Sequence, residues 1–177
     1  MKTSELSLAV VFSSLYAVLV AVLSIISFGP VQLRIADCLI PLAALFGWPA
    51  IAGVTIGCLI GNAYVWLGPQ DVVFGAMANL IAATIIFALR KRQFLACVLG
   101  SLPIGIIVGG YLWLFFGFQP PDIFGLQLPM WGSMIISITI STLIAIAGIG
   151  YVLLKTLSNS GIVNALKSRG VKTYNYK

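Results

Sequence analysis

Arg34 and Asp37 stand three residues apart, and Asp71 is followed at four-residue intervals by Gly75 and Asn79. On a helix the first spacing lets a guanidinium and a carboxylate bridge within one turn. The second stacks a carboxylate above an amide with a side-chain-free gap at Gly75 between them, a geometry that suits a flat ligand slid against the helix. Cys58, Asn62 and Trp66 repeat the four-residue spacing just upstream, so an amide and an indole approach the same end, and Gln70 adjoins Asp71. Tyr111, Trp113 and Trp131 are further aromatic candidates there. Carboxylates, amides and aromatic faces can hold a ligand by hydrogen bonds and stacking, without covalent chemistry. Each group also has a purely structural reading: Asp71 as a helix N-cap, Asn79 as an interhelical hydrogen bond, Arg34 and Asp37 as an ion pair, and the tryptophans as interfacial anchors.

Catalytic patterns are missing from the sequence. It has no His, no Gly-x-Ser-x-Gly, no Lys-bearing phosphate loop and no acidic repeat able to hold two metals. An enzyme and a self-powered ATPase are therefore rejected, and no bound cofactor is expected. Cys38, Cys58 and Cys97 lie singly in apolar segments without Cys-x-x-Cys spacing, which reads as buried thiols rather than zinc ligands or disulfides.

Of 177 residues, 60% are hydrophobic and only 8% charged, too little polar surface for a water-soluble globule. An all-α, polytopic membrane protein follows. Apolar runs near the 20 residues that cross a bilayer cover residues 6–28, 50–67, 72–89, 94–118 and 129–154. A sixth, residues 35–47, is short. The first run is too long for a signal-peptide core and lacks a small-residue cleavage site, so it reads as a retained helix.

The net charge of +6 is topology rather than nucleic-acid binding. With six spans, Lys2, Arg90, Lys91, Arg92, Lys155, Lys167, Arg169, Lys172 and Lys177 share the cytoplasm with both termini, and Arg34 alone of the ten basic residues lies outside. Five spans with a re-entrant second segment give the same nine-to-one split, with Lys2 as the exception. Six is preferred because it gathers Arg34 with Asp37, Asp71 and Asp122 at one mouth, where charges at membrane depth can pair. Three carboxylates then face one guanidinium, which leaves acceptor capacity for a ligand. Residues 1–155 form the membrane domain. Residues 156–177 form a basic cytoplasmic tail, with Ile162, Val163 and Leu166 at the spacing of a short helix lying on the anionic inner leaflet.

Small residues recur every four positions as Ala9, Ser13, Ala17 and Ala21, as Gly53, Gly57 and Gly61, and as Ser133, Ser137, Ser141 and Ala145. Such stripes let helix backbones approach closely. The first is the one most suited to a partner subunit.

The segments Gly29-Pro-Val-Gln-Leu-Arg-Ile-Ala-Asp37 and Gly68-Pro-Gln-Asp-Val-Val-Phe-Gly75 together resemble the queuosine-precursor transporter family, the QueT-type S-components of energy-coupling-factor (ECF) transporters, over roughly residues 5–155. The resemblance implies six helices, a site near the outer surface, and docking on a transmembrane coupling subunit driven by two cytoplasmic ATPases, which hydrolyse the ATP. It also implies toppling in the membrane to release substrate. Ala17 and Ala21 match the Ala-x-x-x-Ala docking motif of the first helix. The implied substrate is a 7-deazaguanine base such as queuine or a pre-queuosine base. Its adjacent N–H donors suit Asp71, its carbonyl suits Asn79 or Gln70, and its ring suits Trp66 or Trp131. The surplus carboxylates tolerate a cationic aminomethyl base. Two other readings keep the residues and change the role: an S-component for another vitamin or an amino acid, and a non-transporting membrane scaffold.

Overall fold

The computed structural model describes residues 3–24, 34–115 and 129–174. Within them the chain is helical, and five helices are long and apolar enough to cross a membrane. Helix α1 is Thr3–Val22, α3 is Trp48–Val65, α4 is Pro69–Ala88 and α5 is Gln93–Leu112. The last span is composite: α6 Met130–Thr142, a π-helical stretch Leu143–Gly150, and α7 Tyr151–Leu157. Twenty helical residues extend about 30 Å, which matches a hydrocarbon core. Helices α3 and α4 begin earlier than their apolar runs because Pro49 and Pro69 sit in first turns, where a missing N–H leaves no helical bond unmade. The predicted ends at residues 25–28 and 116–118, and Asp122, lie outside the described residues.

The short second segment departs from a regular span. It is a 3₁₀ helix over Ile35–Leu42 followed by one α-turn, α2, at Ala43–Phe46. At about 2.0 Å per residue for the first part and 1.5 Å for the second, it reaches only roughly 22 Å. Every residue from Ala36 to Phe46 is buried, so its backbone is shielded by protein rather than lipid. Packing inside the bundle removes the length requirement that a lipid-facing helix must meet.

Helix α1 packs along α3, α3 on α4, α4 on α5 and α5 on α6, while the 3₁₀ segment lies against the π stretch. The α1–α3 seam unites two of the small-residue stripes. A Cβ on Gly57 would lie 2.6 Å from the Ser13 carbonyl oxygen and 2.7 Å from Tyr16 Cβ, and one on Gly61 would lie 2.8 Å from Val20 Cβ. Ala9 and Ser13 are therefore spent largely inside the molecule, whereas Ala17 and Ala21 stay half-buried. The opposite face of α1 is openly apolar, with Leu6, Val10, Val11 and Val18 exposed as suits contact with lipid.

Helix α8, Ser160–Ser168, starts at Asn159, whose side chain accepts from the Gly161 N–H at 3.1 Å. Its apolar side is divided: Val163 is buried in the core and Leu166 packs beside it, whereas Ile162 is exposed. Beyond Gly170, the Tyr174 N–H donates to the Leu45 carbonyl at 2.7 Å. The Tyr174 ring meets Phe87 edge-on at 5.2 Å, and the Arg90 guanidinium lies 4.4 Å over Phe87. The basic tail thus closes one end of the bundle.

Gly57→Ala is expected to lower stability by about 1–3 kcal/mol, because the new methyl meets backbone and cannot be accommodated by a rotamer change. Thermal unfolding in detergent measures this. Gly110→Ala, where a Cβ meets nothing within 4 Å, is the control that should not lose stability.

Candidate binding site

The loop between α3 and α4 sets the first half of the site. Helix α3 ends at Trp66, which adopts a left-handed conformation with φ 50° and donates its N–H to the Asn62 carbonyl at 2.8 Å. That backbone turn is uncommon for a bulky residue and directs the indole outward, where it is 62% exposed. Gly68 then caps α4 with no side-chain hydrogen bond. Asp71, in the first turn, is released from capping and turns inward, where its Oδ1 accepts from the Tyr111 hydroxyl of α5 at 2.8 Å.

The second half comes from the 3₁₀ segment. Three residues per turn eclipse positions i and i+3, so Arg34 and Asp37 share one side. The Asp37 N–H donates to the Arg34 carbonyl at 3.0 Å, which closes that turn. Arg34 Nη2 donates to Asn62 Oδ1 at 2.6 Å and approaches Cys58 Sγ at 3.6 Å. Asp37 Oδ1 accepts from the hydroxyl of Tyr16 on α1. The Tyr16 oxygen in turn accepts from Asn79 Nδ2 of α4 at 2.8 Å.

Arg34, Asp37, Asn62, Asp71, Asn79 and Tyr111 are thereby gathered in one buried polar knot, each 8% exposed or less. The knot lies toward the end of α4 that carries Pro69, with Arg90–Arg92 following the far end of that helix, about 28 Å of helical rise from Asp71. Two tyrosines treat two aspartates alike. Each hydroxyl holds one carboxylate oxygen, and the other oxygen, Oδ2 of Asp37 and of Asp71, is buried with no hydrogen-bond partner among the described residues. Leaving such an atom unmet costs about 1–3 kcal/mol. A ligand that brings N–H donors would remove both penalties.

Four sequence candidates, Trp66, Gln70, Trp113 and Trp131, are not gathered. Trp66, Gln70 and Trp131 are exposed, the first because of its left-handed cap and the third because it lies on the outer face of α6. Trp113 bonds the Gly110 carbonyl of its own helix at 2.9 Å. The gap expected beside Gly75 is also filled. Asn62 reaches across from α3, donates to the Asp71 carbonyl at 2.9 Å, and would lie 2.6 Å from a Cβ on Gly75. Tyr16 was not among the sequence candidates. Its signal was a phenolic hydroxyl halfway along an apolar span, which must find a partner away from water.

Gly75→Ala is expected to push the Asn62 amide off the Asp71 carbonyl and to lower thermal stability by about 1–3 kcal/mol, since the methyl displaces a buried hydrogen-bonded group. An unfolding temperature in detergent equal to that of the unaltered protein would show that Asn62 does not occupy this space.

The chain matches the QueT transporter family over residues 6–159. A queuosine precursor transporter QueT from Lactococcus lactis subsp. cremoris (strain MG1363) is 33% identical over 84 residues, which covers 45% of this chain and 47% of that protein. The match thus spans about half the length of that curated relative. No solved structure matches the chain. Helices suited to crossing a membrane, a buried polar knot and a family match over nearly the whole chain converge on one conclusion: this protein belongs to the QueT transporter family.

Proposed function

We propose that the chain is the substrate-binding membrane subunit of an ECF-type importer for a queuosine precursor, a 7-deazaguanine base. The observation that carries this reading is the pair of buried Oδ2 atoms on Asp37 and Asp71, which lack hydrogen-bond partners among the described residues. A guanine-like edge offers adjacent N–H donors, and charge-assisted bonds to carboxylates are about twice as strong as neutral ones. Family membership and the name of the bacterial relative support the same substrate class.

In this reading the second segment counts as a sixth, bundle-enclosed span, both termini are cytoplasmic, and the knot opens outward. The half-buried Ala17 and Ala21 then meet the coupling subunit, and two cytoplasmic ATPases supply the energy. The protein sits in the inner membrane of a prokaryote.

Purified protein is expected to bind 7-deazaguanine bases, with a ligand at 100 times its Kd stabilising the fold by about 2.7 kcal/mol. Asp71→Asn should weaken binding tenfold or more, read by calorimetry or thermal shift. Unchanged affinity removes Asp71 from the site.

Topology has its own test. Gln70 and Lys91 are exposed near opposite ends of α4, and Cys38, Cys58 and Cys97 are buried, which gives a low labelling background. A membrane-impermeant maleimide should modify Gln70→Cys in intact cells and Lys91→Cys only after lysis. The reverse pattern overturns the orientation.

A further inference from the structure

Tyr16 touches both halves of the knot. It is fully buried on α1, its Cβ lies against Gly57 of α3, and its hydroxyl stands between Asp37 Oδ1 and Asn79 Nδ2. A phenol has one proton. With Asp37 ionised, that proton goes to the carboxylate, so the phenolic oxygen can only accept, and the amide can only meet it with nitrogen. Reversing Asn79 would set its carbonyl oxygen against an oxygen with no proton left to give.

We infer that Tyr16 is a positioning residue for substrate recognition: it locks the orientation of the Asn79 amide and so fixes one acceptor in the site. The inference rests on the deazaguanine reading above. The locked amide holds Oδ1 in one place, and Asp37 Oδ2 and Asp71 Oδ2 are acceptors without partners among the described residues. Three acceptors read a ligand by its N–H groups. Without the tyrosine hydroxyl the amide is free to turn about its terminal torsion, which exchanges an acceptor for a donor at the same point. The ring itself would still fill the α1–α3 seam, so the change is one of polarity rather than packing.

Tyr111 supplies the comparison. Its hydroxyl also holds an aspartate oxygen, but no hydrogen bond from a side-chain amide ends on it among the described residues. Loss of that hydroxyl weakens Asp71 without reversing any group.

The test measures dissociation constants for 7-aminomethyl-7-deazaguanine and for its analogue lacking the 2-amino group. The unaltered protein should prefer the 2-amino base by about tenfold or more. Tyr16→Phe should cut that preference at least about fivefold, and Tyr111→Phe should weaken both bases while leaving the preference within about twofold. Asn79→Ala, which keeps the Tyr16–Asp37 contact and removes the amide, should also cut the preference and serves if Tyr16→Phe does not fold. A preference unchanged in Tyr16→Phe, or lost equally in Tyr111→Phe, overturns the positioning role. So does an unchanged preference in Asn79→Ala. Failure of the unaltered protein to bind either base removes the deazaguanine reading, and this inference with it.

Discussion

A carboxylate buried in a low-dielectric bundle must be met by donors or by an opposite charge, because an isolated one costs more than the fold can offset. Two such groups, Asp37 and Asp71, organise this protein. Tyr16 of α1 holds Asp37 of the 3₁₀ segment, Tyr111 of α5 holds Asp71 of α4, and Asn62 of α3 links Arg34 to the Asp71 backbone carbonyl, so the knot specifies how these elements sit relative to one another. Hydrophobic burial cannot do this in a membrane, where lipid tails are as apolar as leucine. Hydrogen bonds and close packing carry the specificity instead.

Close packing is what lets the hydrogen bonds reach. Tyr16 arrives at Asp37 and Asn79 only because Gly57 admits its Cβ against α3, and Asn62 arrives at the Asp71 carbonyl only because Gly75 leaves room for its amide. The glycine seams and the polar knot are one construction. A methyl group in a seam therefore disturbs the site, although in the first case it meets the backbone and Cβ of α1 rather than any side-chain polar group of the knot. Helix α1 belongs to the Gly57 seam and, through Tyr16, to the knot, and the half-buried Ala17 and Ala21 lie on that same helix.

Much of this was legible in the sequence, for identifiable reasons. Apolar runs bounded by Pro, Gly and basic residues mark the starts of the long helices to within a few positions, because bilayer thickness sets their length. Arg34, Asp37, Asn62, Asp71, Asn79 and Tyr111 stand out because polar groups at membrane depth are expensive and must have partners. Trp66 and Gln70 could not be placed the same way. Whether they face in or out depends on a left-handed turn at Trp66 that no spacing rule signals. The filled gap at Gly75 was equally hidden, since the occupant comes from another helix. Helical periodicity predicts what lies on one face of an element, not what a neighbour inserts there.

The second segment was the hardest to read, and its irregularity has a physical cause. A 3₁₀ run of eight residues is longer than such helices ordinarily sustain, and an eight-residue π stretch is rarer still, yet the two lie against each other. One is overwound and narrow, the other underwound and wide. Their contact is tight at Gly150, where a Cβ would lie 2.7 Å from Pro41 Cγ and 2.8 Å from the Cys38 carbonyl oxygen. Pro41 provides no backbone N–H and so cannot support a regular helix through this point. Winding in threes also brings Arg34 and Asp37 onto a common side, which an α-helix would offset by about 60°. The segment thus gives up length and regularity, neither of which a fully enclosed element needs, and in return presents a guanidinium and a carboxylate together to the centre of the bundle.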